Sequence, residues 1–381
     1  MNILLTDDQI RFGESVVKFA RKELNGELIG GDTEGRFRLD NWKKCSEFGL
    51  LSLLCPKTYG GIGEDLMSAI VSLQSLSYGC RDNGLVHAIV TQLCCIVILS
   101  LFGSGKQKEK YLKKMANGEL IAAQAITEPD AGSDVLAMRT KAEKRDDRFV
   151  VSGSKIFISN GPLADVVLVF AATDSSRKMF GGISCFIVEK GDEGFHSGKP
   201  LEKMGLRTLQ NSELWFEEVV LPPDRLLGKE GHGMMMFNES IEWERVLMGA
   251  VHIGTMERVL ERCVAYAKSR KQFQQEIGKY QSVSNKIADM KVHLELGKLI
   301  LYKAGLLKDR KVRAPMEASI AKLFISESLK NSCLDAVQIH GAYGYMREYE
   351  IERELRDSIA STIYSGTSEI QRKIISGLLG V

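Results

Sequence analysis

The chain lacks any pair of cysteines two residues apart. Its eight cysteines, at positions 45, 55, 80, 94, 95, 185, 263 and 333, show no spacing that would assemble a zinc site. They read as small hydrophobes in a reducing compartment, which speaks against a disulfide framework and a structural metal. An excess of one charge is missing too. The 51 basic and 49 acidic residues are interspersed and leave a formal charge of +2. Nothing in that pattern offers a footprint for nucleic acid or an anionic membrane, so small molecules are the expected ligands.

Repeats and low-complexity segments are also absent. The phosphate-loop signature fails, because Gly103-Ser-Gly-Lys-Gln107 has neither the upstream glycine nor a Ser or Thr after the lysine, and no GxGxxG follows a strand. Any nucleotide cofactor would be held by another architecture. Met1-Asn-Ile-Leu-Leu runs straight into a helix start at Thr6-Asp-Asp-Gln, unlike a targeting peptide, and a cytoplasmic protein is expected. Only Leu85 to Phe102 is apolar enough to suggest a membrane span. His87, Thr91, Gln92 and Ser100 punctuate it, so a buried helix is expected instead.

What is present falls into three stretches, too long in total for one ordinary core. From Asp7 to about Leu120, apolar residues recur at helical spacing behind Thr6. Between about 121 and 230 the period changes to two, in short β-branched and aromatic runs bounded by Gly, Asn, Asp and Pro. From Met234 onward long helical patterns return, the first an amphipathic run from Asn238 to Arg270. The expectation is a mainly α protein with a small β domain. An N-terminal helical domain (1–120) precedes a middle antiparallel sheet or β-barrel (121–230) and a C-terminal four-helix bundle (231–381).

Five stretches could carry chemistry. Glu244 has Ser240, Ile241, Leu247 and Met248 at three and four spacing, which puts a carboxylate on an apolar helix face. Burial there would raise its pKa and suit a general base, whereas a helix-end glutamate reaching solvent would do nothing. Glu242 is expected to form an ordinary surface pair with Arg245. The loop Ala125-Ile-Thr-Glu-Pro-Asp-Ala-Gly-Ser-Asp134 offers turn residues and backbone N–H groups to a phosphate or a ring edge. In Lys155-Ile-Phe-Ile-Ser-Asn-Gly161, strand alternation sets Ile156 and Ile158 on one face and Phe157 and Ser159 on the other, either as a ring wall or as core. Arg270, Phe273 and Gln281 could grip a diphosphate and a planar ring, and the Gly-rich break after Gln338 lets backbone approach a ligand.

In this order, "ITEPDAGSD", "KIFISNG", "RKQF", "QIHGAYGY", "RELRD" and "IYSGTSEIQR" resemble the acyl-CoA dehydrogenase family over nearly the whole chain. The resemblance implies FAD between the β domain and the C-terminal bundle, in a homo-oligomer, tetramer or dimer, whose neighbouring subunit completes the adenosine end. It places Ile126, Thr127, Phe157 and Ser159 at the flavin ring and Ser133 at a flavin phosphate or the pantetheine arm. Arg270, Phe273, Gln281, Gln338, Gly341 and Thr367 would hold the rest of the cofactor.

The family reaction removes an α-proton from an acyl thioester while the β-hydride passes to the flavin. Many members carry the catalytic glutamate in a Tyr-Glu-Gly-Thr turn, but here the turn is Tyr364-Ser365-Gly366-Thr367. Ser365 is no base at neutral pH without an activator. Other members, isovaleryl-type enzymes and dehydrogenases of carrier-tethered amino acids among them, place the base on the long helix before an arginine. Glu244-Arg245 matches that arrangement, with the family's 25-residue step from Arg245 to Arg270. Glu244 is then the catalytic base, with Arg245, Ser365 and Gly366 beside the substrate. Ala342, where a second glycine is usual, departs from the pattern.

The implied substrate is an acyl thioester, with prolyl or a related aminoacyl group on a carrier protein favoured over a short or branched acyl-CoA. The acceptor would be an electron-transfer flavoprotein or O2. A degenerate flavin-binding or DNA-associated member is the alternative of another class.

Overall fold

A computed structural model describes residues 5–177 and 181–381. Met1–Leu4, on which the targeting argument partly rests, lies outside the described residues. The first helix, α1 (Asp7–Glu23), starts where the sequence indicates. The Thr6 hydroxyl accepts from the Gln9 N–H at 3.2 Å and the Gln9 side chain returns to the Thr6 N–H at 3.0 Å, a reciprocal cap. After α2 (Leu28–Glu34) and α3 (Leu39–Glu47) come α4 (Leu66–Gly79), α5 (Asn83–Phe102) and α6 (Gly105–Ala116). In α5 every residue from Asn83 to Leu99 except Thr91 is buried. It is a core helix, and each large apolar side chain buried there contributes about 1.5–3 kcal/mol.

The strands are β1 (Ala122–Ala125), β2 (Lys141–Arg145), β3 (Arg148–Ser159), β4 (Val166–Ala172), β5 (Ile183–Glu189), β6 (Phe195–Ser197), β7 (Asn211–Leu221) and β8 (Leu226–Leu227). They form one sheet in the order β6-β7-β3-β2-β4-β5-β8, with β1 paired to β4. Most pairs are antiparallel, as expected; β1 and β2, however, both run parallel to β4. Among the described residues the strand order runs as a path from β6 to β8.

Helices return with α7 (Gly233–Ser269), followed by a two-strand hairpin of β9 (Lys271–Gln272) and β10 (Gln275–Glu276), then α8 (Gln281–Asp309), α9 (Pro315–His340), α10 (Ala342–Tyr345), α11 (Ile351–Ile359) and α12 (Ser368–Leu379). The three long helices α7, α8 and α9 pack on one another, and α11 and α12 both pack on α9. The amphipathic reading of α7 needs correction. All residues from Arg245 to Met256 are buried, because α7 is the central helix, covered by α4 and α5 of the first helical layer as well as by α8 and α9. Gly254 permits the tightest of these crossings, since a Cβ there would lie 2.2 Å from the Gln74 carbonyl oxygen of α4.

All eight cysteines are buried free thiols.

Candidate active site

Glu244 projects from α7 toward the turn that precedes α12, and the Ser365 hydroxyl donates to its Oε1 at 2.6 Å. Glu244 as a residue is half-buried. Burial raises its pKa above the usual carboxylate value. The Ser365 hydrogen bond and the positive charges of Arg245 and Lys322 oppose that rise.

The turn is fixed from behind. Arg245, itself buried, donates from Nε to the Ser365 carbonyl oxygen at 3.2 Å. Gln371, fully buried on α12, donates from Nε2 to the carbonyl oxygens of Ser365 at 3.1 Å and Gly366 at 2.9 Å. Gly366 has φ +87°, and a Cβ there would meet Gln371 Nε2 at 2.7 Å, so glycine is required twice over. Thr367 closes the turn as the N-cap of α12, its hydroxyl accepting from the Ile370 N–H. Ser365 itself adopts left-handed backbone, φ +56°.

Glu242 does not pair with Arg245. It binds Lys308 of α8 at 2.9 Å, a cation it shares with Glu239, while Arg245 turns inward to the turn. Neighbours at helical spacing share a face only approximately, and a buried carbonyl acceptor claims the guanidinium.

Ile126, Thr127, Phe157 and Ser159 come together around the C-terminal end of β3. The Ile156 N–H donates to the Thr127 carbonyl oxygen at 2.9 Å, and Asn211 Nδ2 donates to the Phe157 carbonyl oxygen and to Ser159 Oγ. The simple alternation expected here is broken. A β-bulge between Lys155 and Ile158 gives Phe157 φ +60° and leaves its ring 64 % exposed, while Ile158 is buried. An aromatic held this far out by backbone geometry suits the wall of a planar cofactor better than a core.

The loop carrying Ile126 and Thr127 is pinned by residues that sequence reading passed over. Lys155 Nζ, fully buried, donates to Glu128 Oε1 at 2.8 Å and to the Ile126 carbonyl oxygen at 3.0 Å. Glu128 also accepts from the N–H groups of Arg139 and Thr140. Ser133 lies exposed farther along this loop. Strand β1, which leads into this loop, is tied to α7 as well: Ser240 Oγ, one turn before Glu244, donates to Gln124 Oε1 at 2.9 Å. The proposed base and the proposed ring wall are therefore held in one frame.

Arg270, Phe273, Gln281, Gln338 and Gly341 gather at another place, the end of the bundle where α7 stops, α8 starts and α9 stops. All five are exposed. The β9–β10 hairpin turns on Phe273 and Gln274, both at positive φ, and displays the Phe273 ring at 90 % exposure. Arg270 lies 5.7 Å over the ring of Tyr343 of α10. Gly341 adopts φ +59° and ψ −137°, a conformation for glycine alone, with open space where a Cβ would be. The departure at Ala342 falls on the first residue of α10, beyond this special backbone.

The residues fit FAD. Two exposed aromatics on left-handed backbone, a glycine with open space beside it and a guanidinium are groups suited to a flat ring and a diphosphate.

Family models for the N-terminal, middle and C-terminal domains of acyl-CoA dehydrogenase match residues 6–119, 123–219 and 231–379. The chain belongs to the acyl-CoA dehydrogenase family. Among solved structures, the prolyl acyl carrier protein oxidase AnaB is 46 % identical with a TM-score of 0.97, over 99 % of this chain and 100 % of that one. PigA, solved with FAD and proline, is 36 % identical with a TM-score of 0.97, over 100 % of this chain and 99 % of that one. A short-chain-specific acyl-CoA dehydrogenase of Clostridium acetobutylicum is 38 % identical over 99 % of each chain.

Proposed function

We propose that this acyl-CoA dehydrogenase relative is an FAD-dependent dehydrogenase of a carrier-protein-tethered prolyl or closely related aminoacyl thioester, with Glu244 as the base. The contact between Glu244 and Ser365 carries the reading. It puts a carboxylate of raised pKa at the turn where many family members carry their own glutamate. Similarity to AnaB and PigA supports the prolyl thioester over a short-chain acyl-CoA. The change from helix to strand after Ala116 and back at Gly233 supports a division at 1–120, 121–230 and 231–381.

FAD, when bound, supplies the acceptor for the hydride equivalent lost from the β-carbon. Glu244 takes the α-proton on its carboxylate, and the raised pKa brings its basicity closer to that of a weak carbon acid. The Ser365 hydroxyl orients that carboxylate. Arg245 and Gln371 hold the turn's two carbonyls from behind, leaving a backbone N–H of the turn to stabilise the thioester oxygen as charge develops there.

Ile126, Thr127, Phe157 and Ser159 would hold the isoalloxazine, and Ser133 a phosphate or the pantetheine arm. Arg270, Phe273, Gln281, Gln338, Gly341 and Thr367 would hold the remainder of the cofactor. The nearly fully exposed Phe273 ring supports a subunit contact there, in a homodimer or homotetramer. Eight buried thiols without disulfides accord with a cytoplasmic location, and electrons would leave to an electron-transfer flavoprotein or to O2.

The test is anaerobic bleaching of the purified yellow protein with prolyl-carrier protein and with butyryl-CoA. Rapid bleaching by the first is expected; bleaching by butyryl-CoA alone would replace the substrate reading, and bleaching by neither would remove the catalytic one.

A further inference from the structure

Beyond Glu244 on the same face of α7 lie Met248, Val251 and His252, and these line a small cavity that is closed by His87 of α5, Leu329 of α9 and Tyr364 of the catalytic turn. An acyl group with its α-carbon at Glu244 would point its remaining atoms toward this space.

The cavity wall is polar, and nearly all of its polar groups are already satisfied. Tyr364 Oη and His252 Nε2 share a hydrogen bond of 2.7 Å. Glu354 accepts from Arg258 and Asn83, and Asp357 accepts from Asn83 Nδ2 and the Leu206 N–H. Thr255 bonds Ser77, and Ser358 bonds the Leu355 carbonyl oxygen. The exception is His87. The residue is 6 % exposed, its ring packs edge-on against Tyr364 at 4.8 Å between centroids, and its buried Nδ1 has no hydrogen-bond partner among the described residues.

We infer that His87 is the specificity-determining residue of the acyl site, reading a nitrogen or other polar atom on a compact acyl group through its unpartnered imidazole. The inference rests on the function proposed above and names what in this chain selects an aminoacyl thioester. A buried polar group without a partner costs free energy that a complementary ligand atom recovers and an apolar one does not. A purely hydrocarbon acyl group would leave His87 unsatisfied and is disfavoured. Burial also drives the pKa of His87 down to about 4, so the ring is neutral at pH 7, able to donate or accept without repelling an amine.

The experiment compares the holoenzyme and its His87→Leu and His87→Asn variants, with prolyl and cyclopentanecarbonyl groups loaded on the same carrier protein. The two acyl groups have nearly the same shape and differ in the ring nitrogen. Anaerobic bleaching rate against substrate concentration is read for each pair. The wild type is expected to favour the prolyl thioester by about tenfold or more in rate over half-saturating concentration, the worth of one net hydrogen bond. His87→Leu should bring the two substrates to within about threefold by slowing the prolyl reaction, and His87→Asn should restore part of the preference.

Bleaching of the wild type by both thioesters without preference overturns the inference and leaves the dehydrogenase reading standing. So does a preference that His87→Leu leaves intact. If His87→Leu does not fold, an unchanged preference in His87→Asn at pH 6 and pH 8, with no loss of prolyl rate, overturns it. Bleaching by no thioester removes the dehydrogenase reading and this inference with it.

Discussion

Ser365 and Glu244, separated by 121 residues in sequence, share a hydrogen bond of 2.6 Å. The turn position has not simply lost a carboxylate. Its hydroxyl holds the carboxylate that approaches from the long helix, so the turn and the helix act as one unit.

A first consequence concerns pH. The Ser365 hydroxyl stabilises the ionised form of Glu244 and opposes the rise caused by burial. Removing it in Ser365→Ala should raise the pKa of Glu244 further, since a hydrogen bond to the carboxylate favours its charged form. The acidic limb of the anaerobic reduction rate, measured from pH 5 to pH 9, should move to higher pH. An unmoved limb would mean that another group sets it.

The same carboxylate bears on stability. Its folded-state pKa lies above the unfolded value, so its contribution is most favourable below the unfolded pKa and is lost as pH rises through the folded one. Burial disfavours the ionised form of this group, the form that higher pH favours. Glu244→Gln should melt no lower than the wild type at pH 7.5, and any advantage should disappear near pH 4. A clear drop in melting temperature at pH 7.5 would show that the charge is structurally required.

Lys155 and Glu128 make a different prediction. The pair is buried on both sides and pins the loop bearing Ile126 and Thr127. Replacing Lys155 by Met strands a buried carboxylate, at a cost of about 3–5 kcal/mol. Loss of flavin should accompany the loss of stability, since the loop forms part of the proposed ring wall. Denaturant unfolding and the absorbance of bound flavin measure both effects. A stable, fully yellow variant would separate this pair from the cofactor site.

Much of this arrangement was legible in the sequence, for identifiable reasons. The cap at Thr6 and the buried run in α5 follow local pattern, and a carboxylate on the apolar face of α7 marks itself by its expense. Other features depend on contacts between distant segments. The bulge that turns Phe157 outward arises from pairing with β7, and a period-two pattern cannot show it. Glu242 pairs with Lys308 of another helix, so its helical neighbours misled. Lys155 and Glu128 stood inside the two motifs already singled out, yet only the fold shows that they meet. His87 looked like punctuation in an apolar helix, and its meaning rests on a cavity assembled from α5, α7, α9 and the turn at Tyr364.

The central claim, proton abstraction by Glu244, is tested most directly by mixing prolyl-carrier protein anaerobically with wild-type and Glu244→Gln holoenzyme and following flavin absorbance. The account predicts rapid bleaching in the wild type and a rate at least about a hundredfold lower in Glu244→Gln, with the flavin still bound. Bleaching at the wild-type rate in Glu244→Gln would contradict it.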